Sequence, residues 1–173
     1  MMKTLKNIFS FILNCLEIYI PTISFIILFI VFNLQVFYRY ALNQPLTWPP
    51  EVISITFLWT TILAASYAQR KNEHVSFSVI YDRVSAQLQF IMRLIANLLV
   101  VVAFLLALRP TYSYIMFMSF KKTTVLKIPY SIVFFPMLIF LLLIIGRMLY
   151  ATYNDIKTLR EVGFAGLKKA EIS

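Results

Sequence analysis

The sequence is poor in the residues that catalytic and metal sites need. It contains one histidine, one cysteine and seven acidic residues, and the acidic residues are dispersed along the chain. A single thiol, Cys15, excludes an intrachain disulfide and any multi-thiolate metal site. No paired carboxylates, metal-ligand spacing, nucleophile beside a base or glycine-rich phosphate loop is visible. We therefore expect that the chain is not an enzyme and holds neither a metal nor a cofactor.

Glycine and charge are also scarce. There are three glycines, and 13% of the residues are charged, whereas an ordinary soluble domain has about a quarter. Hydrophobic residues make up 61% of the chain, and its mean hydropathy is +0.82. No internal repeat and no low-complexity tract is visible. The composition predicts an integral membrane protein with a single domain over residues 1–173.

Four apolar runs are each able to hold the roughly 20 residues that cross a bilayer as a helix. We place these spans at about 19–38, 52–69, 90–108 and 130–150. Between the second and third runs, apolar residues recur at helical spacing over 76–88, which predicts an amphipathic helix in the membrane interface. The predicted fold class is all-α integral membrane: four transmembrane helices plus an amphipathic interfacial helix between helices 2 and 3.

The distribution of basic residues predicts the orientation. Four spans put both termini on one side of the membrane, and eleven of the sixteen lysines and arginines fall on that side. The positive-inside rule therefore predicts that both termini are cytoplasmic. The net charge of +9 then reflects orientation and contact with anionic lipids, and we expect no binding of nucleic acid.

Glu17 is the one carboxylate at the start of an apolar run, and two interpretations are open. An ionisable group inside a bilayer suggests a functional site, as in small four-helix exporters that couple a glutamate to protons. The favoured interpretation is structural: Glu17 lies near the cytoplasmic edge and pairs with a basic residue there, for example Arg147 or Arg93. Pro21 follows four residues later and can kink the helix.

The connection between the first two spans combines aromatic and charged residues. Tyr40 and Trp48 are typical of the aromatic belt at a membrane interface, and Arg39 can extend its head to the same level. Glu51 lies in the first turn of the second span, where we expect an ion pair with Arg39 that closes the hairpin. Trp59 lies in mid-membrane and requires a partner for its indole N–H.

Two further groups of basic residues mark turns at the membrane faces. Arg70 and His74 form the cytoplasmic corner after the second span, and a lone histidine there is more consistent with a hydrogen-bonded corner than with a metal or haem ligand. Lys121, Lys122 and Lys127 lie in the opposite connection and are candidates for docking a periplasmic partner.

An ordered set of landmarks covers most of the chain: Arg39-Tyr40, Asn43-x-Pro45-Leu46-x-Trp48-x-x-Glu51, Trp59, Arg70-x-x-x-His74-Val75, Tyr81-Asp82-Arg83, Leu126-x-Ile128-Pro129 and Pro136. This set resembles the small membrane subunit, DctQ-like, of tripartite ATP-independent periplasmic (TRAP) transporters. The chain departs from the family pattern at Pro50, where an acid is usual, at Ser78, where an aspartate is usual, and at Leu138, where a glycine is usual.

The resemblance implies an accessory, non-catalytic role in a bacterial inner membrane. In this family a large membrane subunit (DctM-like) carries a sodium-coupled pathway, and a periplasmic substrate-binding protein delivers an organic acid of the C4-dicarboxylate or sialic acid class. The small subunit braces the large one, and its partners are those two proteins and membrane lipids. The alternative is an autonomous proton-coupled exporter that uses Glu17.

Overall fold

The computed structural model describes residues 2–70 and 86–170. His74 and most of the predicted interfacial helix at 76–88 lie outside these residues. The described part is mostly helical, and four of its helical segments are long and apolar enough to cross a membrane, which confirms the predicted all-α fold with four spans. The interfacial helix and the cytoplasmic position of both termini stay predictions. The helices are α1 (Met2–Asn14), α2 (Ile20–Tyr40), α3 (Pro49–Arg70), α4 (Ala86–Phe117) and α5 (Tyr130–Ala170).

A π-helical turn, Cys15–Tyr19, joins α1 to α2 without a break in the helical path. The amide of Ile20 donates to the carbonyl of Cys15, five residues back. Pro21 follows directly, and a proline ring within a helix crowds the carbonyl four residues earlier while supplying no N–H. A widened turn at this point relieves that crowding and places Glu17 in the middle of the turn.

Two connections lie at one end of the spans, which we call the hairpin end. Between α2 and α3 the backbone reverses through Asn43, whose φ of 52° lies in the left-handed region that asparagine tolerates. Pro49 begins α3, since a proline in a first turn lacks only an N–H that would be unpaired anyway. Between α4 and α5, a 3₁₀ turn at Met118–Phe120 leads into a short loop. The opposite end, which carries Asn14, Arg70 and Asp155, is called the terminal end.

The four spans pack side by side in the order α2, α3, α5, α4. Within the described residues, α3 contacts both α2 and α5, whereas α4 packs chiefly on α5. Because the main packing seams among the described residues form a row, the helices bury less surface against one another than those of a closed four-helix bundle. The buried apolar side chains lie along the three seams, and large side chains elsewhere are exposed, for example Phe29, Leu106 and Leu149.

The seam between α4 and α5 is apolar and aromatic. Tyr114 meets Phe134 edge to face with ring centroids 5.5 Å apart, and Phe104 lies 6.3 Å from Phe140. Pro110 is inside α4 and does not end it, as its apolar continuation predicts. These contacts hold α4 at one edge of the row.

Candidate functional site: a polar cluster and a clamped loop at opposite ends

A polar cluster ties three helical segments together at the terminal end. We call it the Glu17 cluster, and it comprises Glu17, Ser66, Arg70 and Arg147. The carboxylate of Glu17 is fully buried, with 0% of its side chain exposed. It accepts a hydrogen bond of 2.8 Å from the hydroxyl of Ser66 and forms an ion pair with Nη2 of Arg147.

The second arginine approaches the same carboxylate from the end of α3. Nη1 of Arg70 lies 3.3 Å from Oε2 of Glu17 and donates to the side-chain oxygen of Asn14 at 2.7 Å. Meanwhile Nη1 of Arg147 donates to the backbone carbonyl of Ser66 at 2.6 Å. The one carboxylate thus bridges the π-helical turn, α3 and α5.

This geometry confirms that Glu17 pairs with Arg147, and it corrects the suggestion of Arg93. Arg93 instead forms an ion pair with Asp155, with 3.1 Å between Nη2 and Oδ1, which joins α4 to α5 at the same end. The sequence analysis did not identify this contact. The signal was present, since Arg93 and Asp155 each stand beside the terminal end of their own span.

Side-chain hydrogen bonds from the middle of α3 to backbone carbonyls join it to the neighbouring helices. The indole Nε1 of Trp59 donates to the carbonyl of Val133 at 3.2 Å, which supplies the partner that the sequence requires. Pro136 lies within the same turn of α5, and the N–H that it lacks would have paired with the carbonyl of Ile132, one residue before the acceptor of Trp59. On the other side of α3, the hydroxyl of Thr60 lies 3.4 Å from the carbonyl of Pro21.

At the hairpin end, Glu51 clamps the loop between α4 and α5. Its two carboxylate oxygens accept the backbone N–H groups of Val125 and Leu126 at 2.7 and 2.9 Å. The loop also closes on itself, because Thr123 exchanges hydrogen bonds with Ile128 through its amide and its hydroxyl. Glu51 therefore connects the start of α3 to a loop more than seventy positions away.

The clamp corrects the expected pair between Arg39 and Glu51. Among the described residues there is no ion pair between these two side chains. Both carboxylate oxygens of Glu51 accept hydrogen bonds from the loop instead. Arg39 is exposed and its guanidinium lies 5.7 Å from the ring centroid of Tyr40. Sequence reasoning missed the clamp because nothing local to Glu51 indicates a loop so distant along the chain.

The three candidate docking lysines lie on the clamped loop. Lys121, Lys122 and Lys127 are all exposed, and Nζ of Lys121 lies 5.5 Å from the ring of Phe117. Lys127 has a φ of 57°, a left-handed conformation that costs energy for a residue with a side chain. Phe120 is 88% exposed beside them. The loop thus presents cationic and aromatic side chains away from the spans.

The charged side chains of the described chain lie towards the two ends of the spans. The segments between them carry none: the stretches 20–38, 52–69, 94–108 and 130–146 contain no Asp, Glu, Lys or Arg. Trp48 is half-buried in the first connection, and Tyr40 is 73% exposed. The geometry supports helix packing and surface contacts, and it places no charged group at mid-depth.

Comparison with known proteins agrees with these landmarks. The family model of the tripartite ATP-independent periplasmic transporters, DctQ component, matches residues 28–158. A relative from Haemophilus influenzae, named "Putative TRAP transporter small permease protein", is 28% identical over 98 residues, which are 57% of this chain. The matched part spans 60% of that relative's length. The family match covers most of the chain and includes both the clamped loop and Arg147. The chain belongs to the DctQ component family of the tripartite ATP-independent periplasmic transporters.

Proposed function

We propose that the chain is a non-catalytic scaffold subunit of a binding-protein-dependent importer. The observation that carries the proposal is the uncharged middle of its spans. An organic anion crossing the bilayer needs polar or cationic groups at mid-depth to replace its hydration, because an unpaired charge in hydrocarbon costs several kcal/mol. Here the carboxylate of Glu17 pairs with two arginines, and no charged residue occurs in the stretches 20–38, 52–69, 94–108 and 130–146.

The row of helices supports a structural role beside a larger membrane protein. In lipid, helices associate by packing and hydrogen bonding, since there is no hydrophobic drive between them. Polar groups of Trp59, Glu51 and the Glu17 cluster form contacts within the chain. The exposed faces are left apolar and suit lipid or the spans of a large transport subunit.

The finer features of this role follow from the family resemblance. We propose that the large subunit couples import to sodium, that a periplasmic protein delivers the solute, and that the solute is an organic acid of the C4-dicarboxylate or sialic acid class. We place the complex in a bacterial inner membrane. Lys121, Lys122 and Lys127 then face the periplasm and are suited to an acidic patch on the binding protein.

Reconstitution tests the scaffold role. The purified chain in liposomes should take up no labelled dicarboxylate or sialic acid under a sodium gradient, whereas liposomes that also contain the large subunit and binding protein should. The chain should migrate with the large subunit in size-exclusion chromatography. Uptake by the chain alone would refute the proposal.

The same system tests the alternative, a proton-coupled exporter. That function requires Glu17 to bind and release protons. In the structure its carboxylate is already shared among Ser66, Arg70 and Arg147, which argues against it. Substrate-dependent proton flux in liposomes containing the chain alone, abolished by Glu17→Gln, would establish the exporter instead.

Docking is tested separately by charge reversal. The triple variant K121E/K122E/K127E should slow association of the binding protein in a manner that fades as salt rises, because the attraction acts over a Debye length of about 10 Å at 0.1 M salt. The matched control is K157E/R160E/K168E, which reverses three basic residues on the terminal side and changes the net charge by the same amount. Equal loss in both variants would exclude the loop as the docking surface.

A further inference from the structure

The Glu17 cluster carries an unbalanced charge at the edge of the spans. Glu17 contributes one negative charge, and Arg70 and Arg147 contribute two positive charges. The neighbouring ion pair of Arg93 with Asp155 is balanced within itself. An excess positive charge close to hydrocarbon is costly unless an anion accompanies it.

The two guanidinium groups of the cluster reach the surface. Their side chains are 34% exposed for Arg70 and 20% exposed for Arg147, while Glu17 and Ser66 are buried behind them. Arg70 uses only Nη1 for Glu17 and Asn14. Among the described residues, these two contacts are made by Nη1 alone, and about a third of the side chain is exposed.

The position of the cluster identifies the ligand chemistry. Arg70 is the last residue of α3, where hydrocarbon gives way to headgroups. A guanidinium fork matches two oxygens of a phosphate group in a bidentate manner. Buried Glu17 orients both arginines. Their side chains therefore lose conformational entropy when the protein folds, and they lose little more when a ligand binds.

We propose that Arg70 and Arg147 bind the headgroup phosphate of an anionic phospholipid in the leaflet at the terminal end, with Glu17 as the positioning residue. The site does not depend on the scaffold role, since it needs no large subunit and no transported solute. Arg70 supplies a partly exposed guanidinium fork, and Arg147 supplies the adjacent positive charge.

Lipid retention measured by native mass spectrometry tests the site. The full chain, with any subunit that co-purifies, is mixed in detergent with equimolar phosphatidylglycerol and phosphatidylcholine. We expect the wild type to retain phosphatidylglycerol preferentially. Arg70→Gln should weaken that retention about fivefold, as expected for one arginine near a charged membrane surface.

Arg109→Gln is the matched control, because Arg109 is an exposed arginine in α4 towards the hairpin end and loses the same charge. It should leave the retention of phosphatidylglycerol unchanged. Arg70→Lys keeps the charge without the fork and should fall between wild type and Arg70→Gln. Circular dichroism of each variant establishes that the helices are intact.

Three results would overturn the proposal. Equal retention by Arg70→Gln and Arg109→Gln would show that only overall charge matters. Displacement of the lipid by millimolar inorganic phosphate would identify a site for free anions. If Arg70→Gln releases a co-purifying subunit and leaves lipid retention intact, the two arginines serve an acidic segment of that subunit.

Discussion

At the scale of single residues, Glu17 and Trp59 contact partners that lie far away along the chain. Glu17 takes part in one hydrogen bond to Ser66 and two ion pairs, and Trp59 reaches the backbone of α5. In hydrocarbon an unsatisfied polar group costs several kcal/mol, so such contacts specify which helices are neighbours. Ser66 is completely buried at the centre of the cluster, where Arg147 donates to its backbone carbonyl.

Removing the charge of Glu17 should destabilise the chain more than removing any other single acid. Glu17→Gln leaves two arginines without their counter-charge, and we expect a loss of about 2 kcal/mol in the free energy of unfolding. This is less than the cost of breaking a fully buried ion pair, because both arginines are partly exposed. Thermal unfolding in detergent measures it. Asp155→Asn removes the same charge from a more exposed pair and should cost less than about 1 kcal/mol. Equal effects of the two variants would contradict the central role of Glu17.

The hydrogen bond of Trp59 should contribute modestly. Trp59→Phe removes the donor to Val133 and keeps most of the aromatic volume, and we expect a loss of about 0.6 kcal/mol, typical of hydrogen bonds between helices in membranes. Trp48→Phe, in the first connection, is the control. Chemical unfolding in mixed micelles distinguishes them, and an equal response would show that ring volume alone matters.

At the scale of elements, two irregular features position the functional surfaces. The π-helical turn before Pro21 turns Glu17 towards α3 and α5. The loop before α5 has no regular structure of its own apart from a single bridge between Lys122 and Pro129, and Glu51 fixes it from the start of α3. An exposed loop that is held by a carboxylate presents its lysines in one arrangement instead of many.

The clamp predicts the protease sensitivity of the loop. Glu51→Gln retains the shape of the side chain but replaces one acceptor oxygen by a donor group, so one of the two amides of the loop loses its partner. Trypsin should then cleave after Lys121, Lys122 or Lys127 several-fold faster than in the wild type. Ser54→Ala is the control, because the hydroxyl of Ser54 bonds only within α3, to Pro50. Unchanged cleavage in Glu51→Gln would show that the loop orders itself.

At the scale of the whole molecule, the single row of helices determines what surfaces remain. Among the described residues, the main packing seams join α2 to α3, α3 to α5 and α5 to α4, and many exposed side chains of α2 and α4 are apolar. The Glu17 cluster and the clamped loop lie at opposite ends of the spans, and the middle of the spans contains no charged residue. This architecture gives a flat, two-faced element whose broad sides are available to lipid or to another membrane protein.

The predicted orientation is testable with engineered cysteines. In a Cys15→Ser background, Phe120→Cys should react with a membrane-impermeant maleimide added to spheroplasts, because Phe120 is 88% exposed at the hairpin end. Lys169→Cys should react only after the membrane is permeabilised, since the excess of basic residues predicts that both termini are cytoplasmic. The opposite labelling pattern would invert the assignment of the two faces.

The sequence by itself determined the class of the molecule and the approximate location of its spans. Apolar runs of spanning length and few charges leave a chain no stable option except helices in a bilayer. Glu17 could be assigned an ion pair from its depth alone, since a lone carboxylate near the membrane edge needs a cation. Trp59 could be assigned a need for a partner in the same way.

Only the tertiary structure decided which groups meet. The hydropathy of the sequence contains no information about the order of helices in the row. It therefore could not predict that Glu17 pairs with Arg147 and Arg70 and not with Arg93. It also could not direct Glu51 to the loop at Val125 instead of to Arg39, because that choice depends on α5 lying beside α3. Burial of apolar residues fixes which segments enter the membrane, whereas the pairing of sparse polar groups depends on side-chain reach across helices that are far apart in sequence.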